Sequence, residues 1–170
     1  DIVVMSSVAP VSFIAKKDVA GWPFVGQLAR LQRTLFVDRD RRHSTSASRD
    51  EMAKRLAEGD ILVLFAEGTS GDGASVKSFK SAFFSLAEQA RVSVQPVSIV
   101  YTGHRNLPMT RRQRPLYAWY GDMDLPPHLW RALSACPVEL EVVCHAPLAM
   151  ADAGNRKALA KTVENTIRQG

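Results

Sequence analysis

Apolar and polar positions along the chain alternate between short runs typical of strands and longer stretches with helical spacing. The short runs predict strands at residues 11–15, 34–37, 61–66, 94–101, 116–120 and 138–143. The longer stretches predict helices at residues 1–8, 24–31, 48–58, 79–90 and 155–169. Because strands and helices alternate, we expect an α/β fold: a single domain with a mixed, mostly parallel sheet that helices cover on both faces.

The run at residues 61–66 is the strongest strand signal, because every position is apolar, as in a strand buried on both faces. It leads into a turn-rich loop, Glu67-Gly-Thr-Ser-Gly-Asp-Gly73. Ligands of open α/β sheets bind at the carboxyl ends of the strands. We therefore expect the functional site in the loops that follow Val37 and Phe65.

The helix predicted at residues 48–58 carries sequence signals at both ends. Ser48 and Glu51 have the spacing of a capping box, in which each side chain bonds a backbone N–H at the start of a helix. Gly59 follows the last helical position, where glycine commonly ends a helix in a left-handed conformation.

The composition is that of a folded domain, and its charge is basic. Hydrophobic residues make up 46% and charged residues 23% of the 170 positions, which excludes disorder. The net charge of +5 favours anionic partners, such as nucleic acid, phospholipid headgroups or phosphorylated metabolites, without choosing among them.

No apolar run reaches the ~18 residues of a membrane-spanning helix. Cys136 and Cys144 have neither disulfide-framework nor metal-site spacing, so we expect a cytoplasmic chain.

Three short segments carry candidate chemistry. Residues 65–70 bring a carboxylate, a glycine and a hydroxyl to the expected sheet edge, and Gly68 permits a positive φ or a close ligand approach. Residues 34–39 form a strand ending in Arg39, whose planar guanidinium suits a phosphate or carboxylate. Residues 94–99 form a strand interrupted by a proline. Each segment alone has an ordinary explanation: a turn, a surface arginine and sheet core.

In order and spacing, these segments resemble the glycerolipid acyltransferase family, typified by 1-acylglycerol-3-phosphate acyltransferases. The family's blocks are His-x4-Asp, an apolar strand ending in arginine, Phe-Pro-Glu-Gly-Thr, and an apolar strand around a proline. The resemblance covers about residues 1–101, and Asp1 resembles the surviving half of the first block, whose His would stand five positions earlier. It implies one acyltransferase domain over residues 1–170 that lacks its N-terminal part and catalytic His. The last three blocks are matched by residues 35–39, 65–70 and 94–99.

Two departures from the family pattern bear on the loop and its substrate. Ala66 replaces the usual proline, which changes only the rigidity of the turn. Ser70 stands where many members have an arginine, and Lys77 and Lys80 follow it closely. This stretch resembles the branch that acylates lyso-ornithine lipid as well as some lysophosphatidate enzymes, so the acceptor headgroup stays open between them.

The resemblance implies transfer of a fatty acyl group from acyl-CoA or acyl carrier protein to the free hydroxyl of a lysolipid. The expected acceptor is 1-acylglycerol-3-phosphate, and lyso-ornithine lipid is the alternative. The absent His would be the base, with Asp1 orienting it. A structural alternative for Glu67 is that its carboxylate caps local N–H groups. Arg39 and Lys80 would bind the headgroup, and the loop of the third block would shape the pocket around it. The implied substrate-binding residues are Arg39, Glu67, Gly68, Thr69, Ser70 and Lys80.

No cofactor and no metal are implied for this chemistry. The implied setting is the cytoplasmic face of the cell membrane, where the protein would be peripheral or anchored by a segment outside the chain. The membrane surface is therefore an expected partner, beside the lysolipid and the acyl donor. The basic loop at residues 105–114 could dock acidic acyl carrier protein or rest on anionic lipid.

The sequence also allows two other functions. A non-catalytic module could bind lysolipid or CoA, and the chain alone, lacking the His, is expected to be inactive. A nucleic-acid-binding domain would need aromatic residues interleaved with basic ones on a strand. Trp119 and Tyr120 are the nearest case and have no basic face beside them, so no nucleic-acid partner is expected.

Overall fold

The structure is a computed structural model that describes residues 1–16, 20–21, 25–37 and 46–169. The chain divides into two compact units, Asp1–Phe65 and Ala66–Gly170. Helices and strands alternate and a parallel sheet is present, so the predicted α/β class is confirmed. Among the residues described, no helix is long and apolar enough to cross a bilayer.

The first unit is a parallel sheet with helical connections. Its three strands lie in the order β2-β1-β3, and Val11 of β1 pairs with Ile61 of β3. The helices and strands predicted up to residue 58 are confirmed to within two residues at each end. The elements are α1 Ile2–Val8, β1 Val11–Lys16, α2 Val25–Leu31, β2 Leu35–Val37, α3 Ser46–Ala57 and β3 Ile61–Val63.

The two ends of α3 differ in how well the sequence predicted them. The capping box is wrong, because Ser48 already lies within the helix, whereas a capping residue needs non-helical backbone angles. The stop at Gly59 is confirmed, since this residue has φ +90° and the N–H of the following Asp60 bonds the carbonyl of Arg55 at 3.0 Å. Bonds of this kind satisfy carbonyls that the ended helix leaves open.

The strand predicted at residues 61–66 is shorter and more exposed than expected. Only Ile61–Val63 pair with a neighbour, and Ile61 is 54% exposed. Burial on both faces is therefore wrong, because Ile61 is exposed and the other two residues of β3 are only half-buried. Within the described sheet, β3 pairs with β1 alone and lies at an edge. Packing continues past the strand, where the ring of Phe65 stacks on that of the buried Phe13 with centroids 6.2 Å apart.

The second unit contains an antiparallel sheet in the order β5-β4-β6. The described strands thus form one parallel and one antiparallel three-stranded sheet, where the sequence predicted one mixed, mostly parallel sheet. The elements are a 3-10 helix Ser81–Phe84, α4 Ser85–Ala90, β4 Val97–His104, β5 Leu107–Pro108, α5 Arg114–Tyr117, α6 Leu125–Ser134, β6 Val138–Cys144, α7 Met150–Ala153 and α8 Arg156–Gln169.

The sequence pattern does not predict two helices of the second unit. The strand predicted at residues 116–120 is wrong: residues Arg114–Tyr117 form α5, which has Pro115 in its first turn. Helix α6 was not predicted, although Asp124 occupies the position before it and prolines fill its first turn, both typical of a helix start. The helix predicted at residues 79–90 begins later, at Ser81, as a 3-10 turn.

The core of the second unit lies between α8, α4 and the 3-10 helix. Leu159 is completely buried there, and Phe84 and Val163 are almost so. Helix α8 begins where the Asn155 side chain accepts hydrogen bonds from two backbone N–H groups at 3.0 Å each. Ala66 belongs to the same core, so the loop that follows it starts from a fixed point.

Candidate functional site

The candidate site is built around the loop of residues 66–80, called here the site loop. Ala66 is buried at its start, and the Lys80 backbone N–H donates to the Ala66 carbonyl at 3.0 Å. This bond joins the two ends of the loop, so the residues between them form a closed excursion from the core of the second unit. Thr69 and Ser70 lie exposed on that excursion.

Gly68 is the tightest position of the site loop. Its φ is +67°, a conformation that glycine adopts without penalty. A Cβ there would lie 2.8 Å from Cε2 of Phe83 and 3.2 Å from Cδ of Lys80. Both the backbone angle and the available space therefore require glycine, and the close approach brings the predicted residues Gly68 and Lys80 together.

Glu67 is partly buried within the second unit. Burial raises the pKa of its carboxyl, and the Lys77 backbone N–H, the Lys77 ammonium and the Arg168 guanidinium offset part of that rise. The Lys77 N–H lies close enough to the carboxylate to lower its pKa, which fits the structural alternative that the sequence left open for Glu67. Glu67 thus helps to shape the loop, and a role in substrate binding stays a prediction.

Lys77 was not among the predicted site residues, yet it holds the exposed part of the loop. Its Nζ donates to the Ser70 carbonyl at 2.6 Å and lies beside Gly71. The far side of the loop is held by Arg114, whose Nη1 donates to the Gly73 carbonyl at 2.7 Å. Cations from two directions therefore fix backbone carbonyls of the site loop.

Glu164 of α8 is a second residue that sequence reasoning missed. Its buried carboxylate accepts a hydrogen bond from the Phe79 N–H at 2.9 Å, directly before Lys80. Arg168 Nε lies 3.1 Å and Lys161 Nζ 3.7 Å from the other carboxylate oxygen. The Phe79 N–H and these cations together hold the pKa of Glu164 below its usual value. The C-terminal helix therefore fixes the end of the site loop.

The two remaining predicted site residues belong to the first unit. Asp1 lies directly before α1, as predicted, and its carbonyl accepts the first helical hydrogen bond, from the Met5 N–H at 2.9 Å. Its role as the partner of a histidine stays a prediction. Arg39 lies outside the described residues. Among the described part of the chain, no three His, Cys, Asp or Glu side chains form a group that could hold a metal ion.

Residues 1–100 match the family model named Acyltransferase. The chain belongs to the acyltransferase family. This acyltransferase chain is 47% identical over 175 residues to the lyso-ornithine lipid O-acyltransferase of Brucella abortus, an alignment that covers 99% of the chain and 66% of that protein. It is 32% identical over 170 residues to the 1-acyl-sn-glycerol-3-phosphate acyltransferase of Neisseria gonorrhoeae, covering 99% of the chain and 64% of the relative.

A solved structure shares the fold of this acyltransferase chain. The crystal structure of the 1-acyl-sn-glycerophosphate acyltransferase from Thermotoga maritima aligns with a TM-score of 0.61 and 25% identity, over 95% of the chain and 56% of that protein. The family recognised from the ordered blocks is thereby confirmed. The chain spans less than two thirds of the length of the curated relatives it matches.

Proposed function

We propose that this protein transfers a fatty acyl group from acyl-CoA or acyl carrier protein to the free hydroxyl of a lysolipid. The observation that supports this most is the site loop: most of the family block at residues 65–70 lies in this closed loop, and Gly68 packs there against Lys80. The loop presents a half-buried carboxylate, exposed hydroxyls and an exposed lysine within one short segment. The proposed setting is the cytoplasmic face of a membrane, where lysolipids are available.

In the proposed reaction, a histidine that precedes the chain takes the proton of the acceptor hydroxyl. The hydroxyl oxygen attacks the thioester carbonyl, the carbon–sulfur bond breaks, and the proton passes to the departing thiolate. Asp1 hydrogen-bonds the other ring nitrogen, fixes the tautomer and stabilises the imidazolium. Lys80 and Arg39 hold the headgroup so that the hydroxyl faces the thioester.

The acceptor that we propose first is lyso-ornithine lipid. The relative with that name is 47% identical to the chain, whereas the relative that acts on 1-acyl-sn-glycerol-3-phosphate is 32% identical over a similar span. An ornithine headgroup carries a carboxylate and an ammonium group, and the site loop offers Lys80 and Glu67 as opposite charges for them. Ser70 stands where many family members have an arginine, so the guanidinium that would bind a phosphate is missing there.

The second candidate acceptor is 1-acylglycerol-3-phosphate, which the sequence alone favoured. The Neisseria relative and the Thermotoga structure both carry that activity in their names, and each covers at least 95% of the chain. Its phosphate carries up to two negative charges, which Lys80 and Lys77 could both approach.

The two acceptors are separated by turnover assays on the full-length protein. Labelled acyl-CoA and acyl carrier protein are each supplied with either lysolipid in detergent micelles, and acylated product is counted. We expect kcat/KM to be at least tenfold higher with lyso-ornithine lipid. The reverse preference would select the phosphate acceptor, and binding of a lysolipid without product would leave a non-catalytic binding module.

The assignment of the headgroup cation is tested with a matched pair of lysines. Lys80→Met should raise the KM for the acceptor about tenfold, because one good charge-assisted hydrogen bond to the headgroup is lost. Lys157→Met removes an exposed lysine from α8 and should change neither KM nor kcat. Equal effects of both variants would exclude Lys80 from the headgroup site.

A further inference from the structure

Helix α6 turns large apolar side chains toward solvent. Trp130 is 72% exposed and Leu133 is 53% exposed, while the opposite face packs on α5, where His128 Nε2 lies 3.2 Å from the Pro115 carbonyl oxygen. A monomeric soluble surface seldom leaves a tryptophan this exposed beside another large apolar side chain. The outward face of α6 is therefore a candidate interaction surface.

The turn between β4 and β5 adds further exposed side chains near the end of α6. The Arg105 N–H donates to the Pro137 carbonyl at 3.0 Å, which holds the turn against the segment that follows α6. Leu107, beyond the turn, is 65% exposed. We call this region the α6 surface and define it by its exposed apolar and basic side chains: Arg105, Leu107, Trp130, Arg131 and Leu133.

The charge around the α6 surface is basic. Residues 105–136 contain five arginines against two aspartates, Asp122 and Asp124. Asp124 lies at the first end of α6, and Arg131 lies in its last turn. No carboxylate is present among the exposed positions within α6 itself. The surface therefore complements an anionic partner with an apolar layer beneath its charges.

We propose that the α6 surface docks on an anionic lipid bilayer. Tryptophan prefers the boundary between headgroups and acyl chains, where its ring is buried and its N–H stays in polar surroundings. Arg105 and Arg131 would contact lipid phosphates beside the inserted Trp130 and Leu133. An acidic carrier protein could meet the same arginines, but it offers no acyl layer for the exposed apolar side chains.

Docking of the α6 surface also suits the site loop, and this step rests on the proposed function. Arg114, at the start of α5, donates from Nη1 to the Gly73 carbonyl at 2.7 Å. The segment that supports α6 is therefore bonded directly to the loop proposed to bind the lysolipid. A bilayer at the α6 surface would present the acceptor close to the loop that uses it.

The position of Trp130 is tested by fluorescence quenching in the full-length protein. Vesicles of phosphatidylglycerol and phosphatidylcholine are prepared with brominated acyl chains, which quench tryptophan only at short range. We expect quenching with the parent protein and a clear loss of that quenching in Trp130→Phe. Leu31→Ser, which changes an exposed leucine of the first unit, is the matched control and should leave quenching unchanged. Undiminished quenching in Trp130→Phe would overturn the proposal.

The arginines are tested by charge reversal with two kinds of substrate presentation. The double variant R105E/R131E should raise the KM for acceptor in phosphatidylglycerol vesicles about tenfold and leave turnover in neutral detergent micelles unchanged. The control R156E/K157E, on the exposed start of α8, should behave as the parent in both.

A higher KM for acyl carrier protein with unchanged vesicle kinetics would overturn the proposal in favour of a carrier site. Absence of turnover by the parent protein in micelles would instead contradict the proposed function, and quenching of Trp130 would still be measurable.

Discussion

Each of the two units contains a buried charged side chain, and the two charges do different things. In the first unit Arg55, which is 4% exposed, lies 2.6 Å from Asp60 and 2.7 Å from the Ser12 hydroxyl, and it also donates to the Arg33 carbonyl. In the second unit Glu164, which is 7% exposed, accepts from the Phe79 N–H and pairs with cations of its own helix. Both charges are well satisfied, as buried charges must be.

The hydrogen-bond partners of Arg55 and Glu164 show why the two buried charges have different roles. Arg55 gathers residues at the amino ends of the three parallel strands: Ser12 in β1, Arg33 before β2 and Asp60 before β3. Ligands of such sheets bind at the opposite, carboxyl edge. Glu164 instead holds the residue before Lys80 in the site loop. A buried charge is therefore not a sign of function by itself. Its role depends on which part of the structure it holds in place.

The largest expected effect comes from removing the charge in the first unit. Arg55→Met should lower the free energy of unfolding by about 3–5 kcal/mol, because it leaves Asp60 without its buried partner. Lys54→Met, one position away on the exposed face of α3, should cost well under about 1 kcal/mol. Urea denaturation measures both, and kcat of the folded Arg55→Met protein should stay at the parent value. A large fall in kcat at full folding would place Arg55 in the site after all.

The next effect tests the site loop at its tightest point. Gly68→Ala should cost about 2–4 kcal/mol, since a left-handed alanine is strained and its Cβ would meet the Phe83 ring. Gly73→Ala has a similar backbone angle but open space around it, so its cost should be only about 1–2 kcal/mol.

Activity gives the second readout for this glycine pair. Because Lys80 also lies against Gly68, the alanine should displace the lysine and raise the KM for the acceptor several-fold more than Gly73→Ala does. Thermal unfolding and acceptor titrations measure the two effects. Equal stability and KM in the two variants would mean that Phe83 and Lys80 do not pack on the loop as described.

The third effect concerns the buried charge of the second unit. Glu164→Gln can still accept from the Phe79 N–H but loses its ionic partners, so it should cost about 1–3 kcal/mol and raise the acceptor KM with little change in kcat. Glu88 also accepts a backbone N–H, from Arg156 at 3.1 Å, but it does not hold the site loop. Glu88→Gln should therefore affect stability alone, and an equal KM effect would refute a positioning role for Glu164.

Local signals predicted most of the fold. The apolar runs at residues 11–15 and 34–37 and the stop at Gly59 depend on neighbouring positions, and the structure confirms them. The strand predicted at residues 116–120 failed because its apolar and aromatic pattern also fits a short helix. There Tyr117 bonds His104 Nδ1 at 2.7 Å, a contact that its neighbours in sequence do not encode.

The candidate site, like the fold, could be predicted from the sequence only where its signals are local. The block at residues 65–70 is contiguous, so its turn and the need for glycine were visible in the sequence. Glu164 was invisible, because its partner Phe79 is 85 positions away and only the fold brings the two together. What the sequence does show at Glu164 is helical spacing to Lys161 and Arg168, which is also typical of an ordinary solvent-exposed helix face.

The smallest effect is a pH dependence of opposite sign for two carboxyl groups of the second unit. The pKa of Glu164 is lowered, so its contribution to stability is present at neutral pH and is lost as the pH falls through that lowered pKa. The pKa of Glu67 is raised by burial, so its contribution is present below the ordinary value and is lost as the pH rises through the raised pKa.

Replacing Glu164 or Glu67 by glutamine removes one titrating carboxyl group. Each variant therefore reports the pH dependence that this group contributes to stability. Relative to the parent at pH 7, Glu164→Gln should be less stable and Glu67→Gln as stable or more so, and both differences should shrink below the ordinary glutamate pKa of about 4.3. Urea midpoints at neutral and acidic pH measure this. Glu67→Gln should still lose activity if its carboxylate binds the headgroup, so a variant that gains stability and keeps full turnover would leave Glu67 a purely structural part of the loop.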